Sequence, residues 1–371
     1  MDPQVLLLGQ DLYALRKVSS IFNVEEEKTF RKSKLITNNY VLNVDNEDDF
    51  FTPDNQGSIF NGANWRYSEL EIIDENGIEI WRGILWDIVR KHEGKKARLI
   101  FKNSYFQYGN NAIVYTSADW ETPASAFKNI CDQIGFTEYN QKSVTTSDSL
   151  FDDNNCFIKI DYTQADGIKF IEAIQKIADF SNSDLYVHLD ELYFVHWTPF
   201  TGGVKFEIDV DKKGVDASNK VKIAPTVDSP ESTLINDYSI DYYDSSGTPA
   251  TDSANNNIGS LSRSKFGTHS LSEFRTGAGN QIVFKDKTSA VYMGESFIRE
   301  SHVGDLARTP NIKQRCQLSL FSDHKDLITL GTFVRMNFSD ENWSNKIYEV
   351  FKFKINREKD QIDLLLFEVN E

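Results

Sequence analysis

The chain has 371 residues, 40% of them hydrophobic and 26% charged, with 26 Phe, 15 Tyr and 6 Trp. That length supports two or three compact units with full cores, and the aromatic-rich composition leans toward β structure and against long disordered stretches. A net charge of −16 argues against specific nucleic-acid binding, because phosphate contact needs a basic face that releases counterions.

The start, MDPQVLLLGQD, carries an acid where a signal peptide carries positive charge, and its apolar run is too short for an h-region. Nowhere do about 18 apolar residues run together, so no transmembrane helix is predicted. Folding in a cytoplasm is the expectation. From Val5 to about Asn103 the pattern is strand-like. Glu69 to Ile73 and Ile78 to Trp81 flank Asn76-Gly77, a pair that tolerates the positive φ angles of a type I′ hairpin turn. A second hairpin is predicted next. Ile84, Trp86 and Ile88 alternate on one strand, the chain turns over His92 to Lys95, and Ala97, Leu99 and Phe101 return, giving one buried face.

Near residue 119 the character changes. Thr122 is a helix cap followed by Pro123, and Ala126, Phe127, Ile130, Cys131 and Ile134 form an apolar stripe that stops at Gly135. Gln141 to Asn155, rich in Ser, Thr, Asp and Asn, reads as a loop. A second helix is predicted from about Gln164 to Phe180, with Ile168, Ile171, Ile174, Ile177 and Ala178 on one face. A hairpin follows, Leu185 to Leu189 and Leu192 to Trp197 across Asp190-Glu191. From about residue 205 strands return, including Ile235 to Tyr243, and the Ser/Asn/Gly-rich span Asp244 to Ser260 reads as a surface loop. A third helix begins at Asp286 with Ala290, Met293 and Phe297 on its face. Gln314 to Phe321, Gly331 to Phe338, Lys346 to Ile355 and Gln361 to Val369 close the chain as strands.

Residues that could carry chemistry are few. Cys131, Cys156 and Cys316 are far apart and lack CxxC spacing, so neither a disulfide framework nor a zinc ribbon is predicted, and buried free thiols are expected. His188 and His196 could suggest a metal, but in the predicted hairpin His196 shares the face of Leu185 and His188 that of Tyr186 and Tyr193, so the imidazoles point apart. Asp209-Val-Asp211-Lys-Lys213-Gly214 begins like a calcium loop, yet Lys213 and Lys220 stand where oxygen ligands belong. Asp148, Asp152 and Asp153 form an acidic run that reads as a solvated loop. No GxSxG, HExxH, P-loop or GxGxxG motif is present. No catalytic, cofactor-binding or metal residue is assigned, and the chain reads as a non-enzyme. A glycosidase needs only two tuned carboxylates, so a carbohydrate-binding or carbohydrate-active protein, with Trp65 and Trp343 as sugar-stacking candidates, is the alternative.

The second half carries features that, in order, resemble the phage tail hub and tail-tip proteins, including baseplate hubs of contractile tails and of related contractile injection systems. They are QKIADFSNSDLYVHLDELYFVHW (Gln175 to Trp197), INDYSIDYYDSSG (Ile235 to Gly247), SRSKFGTHSL (Ser262 to Leu271), the helix with Ala290, Met293 and Phe297, ITLGTFVRMNF (Ile328 to Phe338) and IDLLLFEVNE (Ile362 to Glu371). Coverage runs from about residue 165 to 371. Phe266 stands where Tyr is commoner in the family, His269 where Arg is, and Thr332 where an acid is frequent, which leaves the subfamily open. A faint internal repeat points the same way. Ile80, Trp81, Ile84, Trp86, Ile88 and Arg90 match Ile347, Tyr348, Phe351, Phe353, Ile355 and Arg357 at equal spacing, and Leu99 and Phe101 resemble Leu364 and Leu366 after a short gap.

The resemblance implies an α+β, mainly β chain in which two similar tail-tube-like β-barrel domains, residues 1–118 and 205–371, flank an α+β domain at 119–204. It further implies a structural protein of the virion tail, made in the host bacterial cytoplasm and without cofactor. The implied assembly is a homotrimeric ring joining the tail tube or distal tail protein to a central spike or tail fibre, with the tape measure protein as a further neighbour.

Overall fold

A computed structural model describes residues 3–18, 24–28, 35, 39–91, 95–162, 167–210, 221–230, 233–253, 257–274, 282–321, 328–356 and 359–369. The chain is α+β with β structure predominating, as its composition predicts.

The first sheet holds β1 (Gln4–Leu7), β2 (Gln10–Asp11), β4 (Tyr40–Asp45), β5 (Glu69–Ile73), β6 (Glu79–Lys91) and β7 (Lys96–Lys102) in the order β2-β1-β5-β6-β7-β4. Strand β3 (Val24–Glu27) leaves this sheet and joins another, described below. Then come α1 (Tyr105–Tyr108), β8 (Ala112–Ile113), β9 (Tyr115–Thr116), α2 (Pro123–Gln133) and α3 (Gln141–Asp153). Next are β10 (Ile158–Tyr162), β11 (Ile168–Lys169), α4 (Phe170–Phe180) and the hairpin β12 (Ser183–His188) to β13 (Glu191–His196). Beyond them are β14 (Phe206–Asp209), β15 (Val221–Asp228), β16 (Asp237–Tyr243), β17 (Pro249–Ser253), α5 (Ser260–Phe266), β18 (Ser270–Phe274), β19 (Ile282–Phe284) and α6 (Lys287–Ser301). The chain closes with β20 (His302–Val303), β21 (Asn311–Ile312), β22 (Arg315–Leu320), β23 (Phe333–Phe338), β24 (Trp343–Asn356) and β25 (Gln361–Glu368).

The hairpin β5–β6 forms where expected, but its turn is not type I′. Gly77 has a positive φ and Asn76 does not. Asp74 organises the loop instead, its Oδ1 accepting from the N–H groups of Asn76 and Ile78. Between β6 and β7 a bulge at Trp86 moves Leu85 opposite Phe101 and Ile88 opposite Leu99. The extra residue reverses the alternation, so Leu85, not Trp86, enters the core. The turn at His92 to Gly94 lies outside the described residues.

Thr122 caps α2 as predicted, its hydroxyl accepting from Ser125 N, and Gly135 takes φ +70° beyond the last turn. The expected loop at 141–155 is mostly the helix α3. Asn140 caps it, and Val144, Ser147 and Phe151 face inward at helical spacing. Packing of that thin stripe outweighs the weak helix propensity of Ser, Thr and Asp. α4 starts at Phe170, later than predicted, and Gln164 lies outside the described residues. Asp286 caps α6 through Ser289 N, as expected. The presumed surface loop after Tyr243 is a tight turn held by Asp244 and then β17, which pairs with β16.

The last large sheet has the order β14-β23-β24-β25-β22-β15, with β3 also paired to β24. It repeats the first sheet: β5-β6-β7-β4 and β23-β24-β25-β22 are the same antiparallel path, in sheet order and in chain order. Tyr40, Leu42 and Val44 face Phe101, Leu99 and Ala97, while Cys316, Leu318 and Leu320 face Leu366, Leu364 and Ile362. Phe351 occupies a bulge that matches the one at Trp86. The correspondence therefore differs from the one read in the sequence. Leu85, Ile88, Leu99 and Phe101 match Val350, Phe353, Leu364 and Leu366 at one constant offset with no gap, two residues away from the first-strand alignment expected.

Two cores result. One joins the two repeated sheets through residues such as Leu42, Leu99, Val334, Leu364 and Leu366. The other gathers α2, α3, α4 and the β12–β13 hairpin, and it also takes in Tyr238, Ile240, Phe284, Met293 and Ile298. The stretch from β16 through α6 thus packs against the helices, not on the sheet that follows it in sequence.

Candidate functional site

The residues singled out in the sequence do not converge. Observed pairing in the β12–β13 hairpin places Val187 opposite Leu192 and Tyr186 opposite Tyr193, with Leu189 and Asp190 as the two turn residues, both at positive φ. The turn sits one residue earlier than predicted. This moves each cross-strand partner by two positions, which preserves the faces. His196 is buried, its Nδ1 donating to Ser181 O at 3.0 Å and its Nε2 accepting from Tyr292 Oη at 2.8 Å. Burial pulls its pKa down to about 4, so it is a neutral core residue. His188 lies on the other face, 2.6 Å from Glu26.

Asp148 accepts from the hydroxyls of Thr122 and Ser125, which ties α3 to the start of α2. Asp209 is the last residue of β14, while Asp211 to Gly214 and Lys220 of the calcium-like stretch lie outside the described residues. No group of three or more His, Cys, Asp or Glu among the described residues is placed to hold a metal ion. All three cysteines are buried and free, and burial raises their thiols, that of Cys316 to about 12. Trp343 is also buried, against Phe338 and Tyr348, which removes it as a sugar-stacking platform; Trp65 is half-buried beside Arg66.

A groove of about 880 Å³ lies over β9, β10, β16 and β19, lined by Trp120, Tyr243, Asp161, Asp244, Lys285 and Asp286 among others. Two of its carboxylates are committed to structure, Asp244 in its turn and Asp286 at the cap of α6.

The densest polar arrangement was not foreseen. It is an interlock around β3, which crosses from the N-terminal region to β24 and pairs with it from Lys352↔Glu27 to Ile355↔Val24. Outward, Glu25 and Glu27 meet Lys352 and Lys354 at 2.6–2.9 Å. Inward, Glu26 meets His188, and the buried Lys28 donates to Asp184 at 2.6 Å and Glu349 at 2.5 Å while lying 4.1 Å from the Phe351 ring. Burial alone would lower the Lys28 pKa; Asp184 and Glu349 outweigh it and hold the ammonium charged, above the usual lysine range. Nearby, buried Asp190 accepts from Ser104 N at 2.6 Å, and burial pushes its carboxyl up to about 7. These contacts tie β3, Ser104, the β12–β13 hairpin and β24 together, and the outward carboxylates and lysines line a shallow concavity of about 600 Å³. No signal in the sequence marks them, because each pair is more than eighty residues apart.

No family model matches the chain, and no curated protein is similar to it in sequence. Solved structures are similar in fold. The tail protein from Neisseria meningitidis MC58 superposes with a TM-score of 0.56 at 9% identity, over 99% of this chain and 97% of that one. The 43 kDa tail protein of prophage MuSo2 from Shewanella oneidensis gives 0.54 at 11% identity, over 98% and 97%. The mainly β fold with its duplicated sheet is therefore the fold of these tail proteins, shared along almost the whole chain.

Proposed function

We propose that this chain is a structural, non-enzymatic protein of a phage tail or phage-like injection particle. In this reading it is the baseplate hub or tail-tip protein that joins the tail tube, or distal tail protein, to a central spike or fibre, with the tape measure protein as a further neighbour. The observation that carries the reading is the duplicated sheet inside a fold shared with two tail proteins. One chain with two similar units, assembled as a homotrimer, presents six similar units around a ring, so a threefold hub can meet a sixfold tube. The units correspond to residues 1–118 and 205–371 around an α+β part at 119–204, with the stretch from β16 through α6 docked on that part. The net charge of −16 suits a channel wall that repels DNA phosphates. The site of action is the virion tail, after synthesis in the host cytoplasm.

Negative-stain imaging and native mass spectrometry of the purified chain test the reading. Trimeric particles with a central hole are expected. Compact monomers at micromolar concentration, or a dimer as the sole assembly, would refute it.

A further inference from the structure

The repeat shows where one sheet is complete and the other is not. In the second sheet, β24 is long enough to pair with β23 over its first half and with β3 over its second, Lys352 to Ile355. In the first sheet, β6 pairs with β5 only as far as Ile84. Its second half, Asp87 to Lys91, is bonded to β7 on one side, and no strand among the described residues pairs with the other. By the constant offset of the repeat, Asp87 to Arg90 occupy the positions of Lys352 to Ile355. The same backbone that takes an added strand in one sheet is thus, among the described residues, a bare edge in the other.

An exposed edge of unpaired N–H and C=O groups is a template for further pairing. On this edge Asp87, Val89, Arg90 and Lys91 are open to solvent, Val89 at 37%, while Ile88 is half-buried against the core. It is also basic. Arg90, Lys91, Lys95 and Lys96 crowd the hairpin end, with no ion-pair partner among the described residues, on a chain of net charge −16. Lys91 lies directly opposite Lys96, and although Lys96 has Asp45 as its neighbour on the other side, Lys91 at the edge has no acid beside it in the sheet among the described residues, so an incoming acidic strand would complement it. In the second sheet the added strand is acidic, Val-Glu-Glu-Glu, and its outward carboxylates sit on lysines of β24. A second copy of the chain offers an edge strand among the described residues that carries two acids, β14, Phe-Glu-Ile-Asp; its Glu207 pairs with Arg335 of β23 while remaining exposed.

We infer that the edge of β6 from Asp87 to Lys91 is a subunit interface, where a second copy of this chain adds an antiparallel strand in the place that β3 fills on β24. The inference rests on the proposed ring and says which edge closes it. Such a contact is head-to-tail, and repeated around an axis it makes a closed ring and removes the bare edge.

Hydrogen–deuterium exchange on the full chain, above and below its assembly concentration, tests this. The amides within residues 86–91 that point away from β7 should exchange rapidly in the separate subunit and become protected in the assembly, while those bonded to β7 change little. The charge-reversal variant Arg90→Glu/Lys91→Glu, which touches only exposed side chains, should raise the concentration for half-assembly by on the order of tenfold at low salt. Its circular dichroism should be unchanged. A ring that forms with residues 86–91 unprotected, or that assembles equally well in the variant, overturns this interface and leaves the hub reading standing. A chain that stays monomeric at all concentrations overturns the hub reading and this interface together.

Discussion

Replacing Lys28 by methionine should be among the most damaging single changes in the chain. The ammonium is buried and shared by Asp184 and Glu349, so the substitution keeps the volume of the side chain and removes the one cation paired with the two carboxylates among the described residues. Breaking a fully buried ion pair by deleting one partner costs about 3–5 kcal/mol, because the other charge is left desolvated and alone. Here the carboxylates keep 23% and 20% of their side-chain exposure, and water can reach them, which sets the expectation at the low end, about 3 kcal/mol. Removing all three charges together, in Lys28→Met/Asp184→Asn/Glu349→Gln, should recover more than about 1 kcal/mol of that loss, since no uncompensated charge remains. Urea unfolding followed by circular dichroism and tryptophan fluorescence in the same samples measures both variants. A loss under about 1 kcal/mol in the single variant, or a triple variant no more stable than the single one, would show that the cluster does not hold the sheets and the hairpin together.

The same region predicts a pH response. Asp190 holds its proton to about pH 7 when folded, whereas an unfolded aspartate loses it near pH 4, so its contribution to stability falls as pH rises from about 4 to about 7. At His188 burial lowers the pKa, but Glu26 outweighs it and the net shift is upward; its contribution is complete below about pH 6.5 and lost as pH rises through the folded value. His196, held down near 4, has the opposite slope, so the effects are read as differences between the chain and its variants. Relative to the parent, Asp190→Asn should gain stability between pH 4 and 7, and Glu26→Gln should lose its deficit as pH rises above 6.5; flat differences would refute both assignments. Gly294→Ala, in the middle of α6, would ordinarily stabilise a helix by about 1 kcal/mol. Here a Cβ would stand 2.6 Å from the ring of buried Tyr238, so a lower unfolding midpoint is expected, and a higher one would mean that the ring yields.

Local chemistry alone was enough for α2 and α6. Thr122-Pro123 and Asp286 supply caps, and the stripes through Phe127 and Ile130, and through Ala290, Met293 and Phe297, have one clear period. The opposite faces of His188 and His196 were legible too, because alternation along a strand survives an even shift in pairing. The resemblance in the second half also pointed to the tail-protein fold. What failed was wherever a distant contact outvoted the local signal. α3 carries three inward residues among polar ones, and it is held by bonds such as Ser147 Oγ to Phe194 O and His196 N to Ser147 Oγ, made by strands some fifty residues away.

Alternating hydrophobic runs determined by themselves that this chain would form sheets, and stripes of helical period that helices would lie between them; the faint repeat pointed to two similar sheets without fixing their register. Tertiary structure alone decided where the bulges fall, that β3 leaves its neighbours to join β24, and that Lys28 is buried between Asp184 and Glu349. The physical reason is one of range. Periodicity and caps act within a few residues and are written in the sequence there, whereas a strand's choice of partner and a charge's choice of counter-charge depend on which distant surfaces meet once the cores have closed.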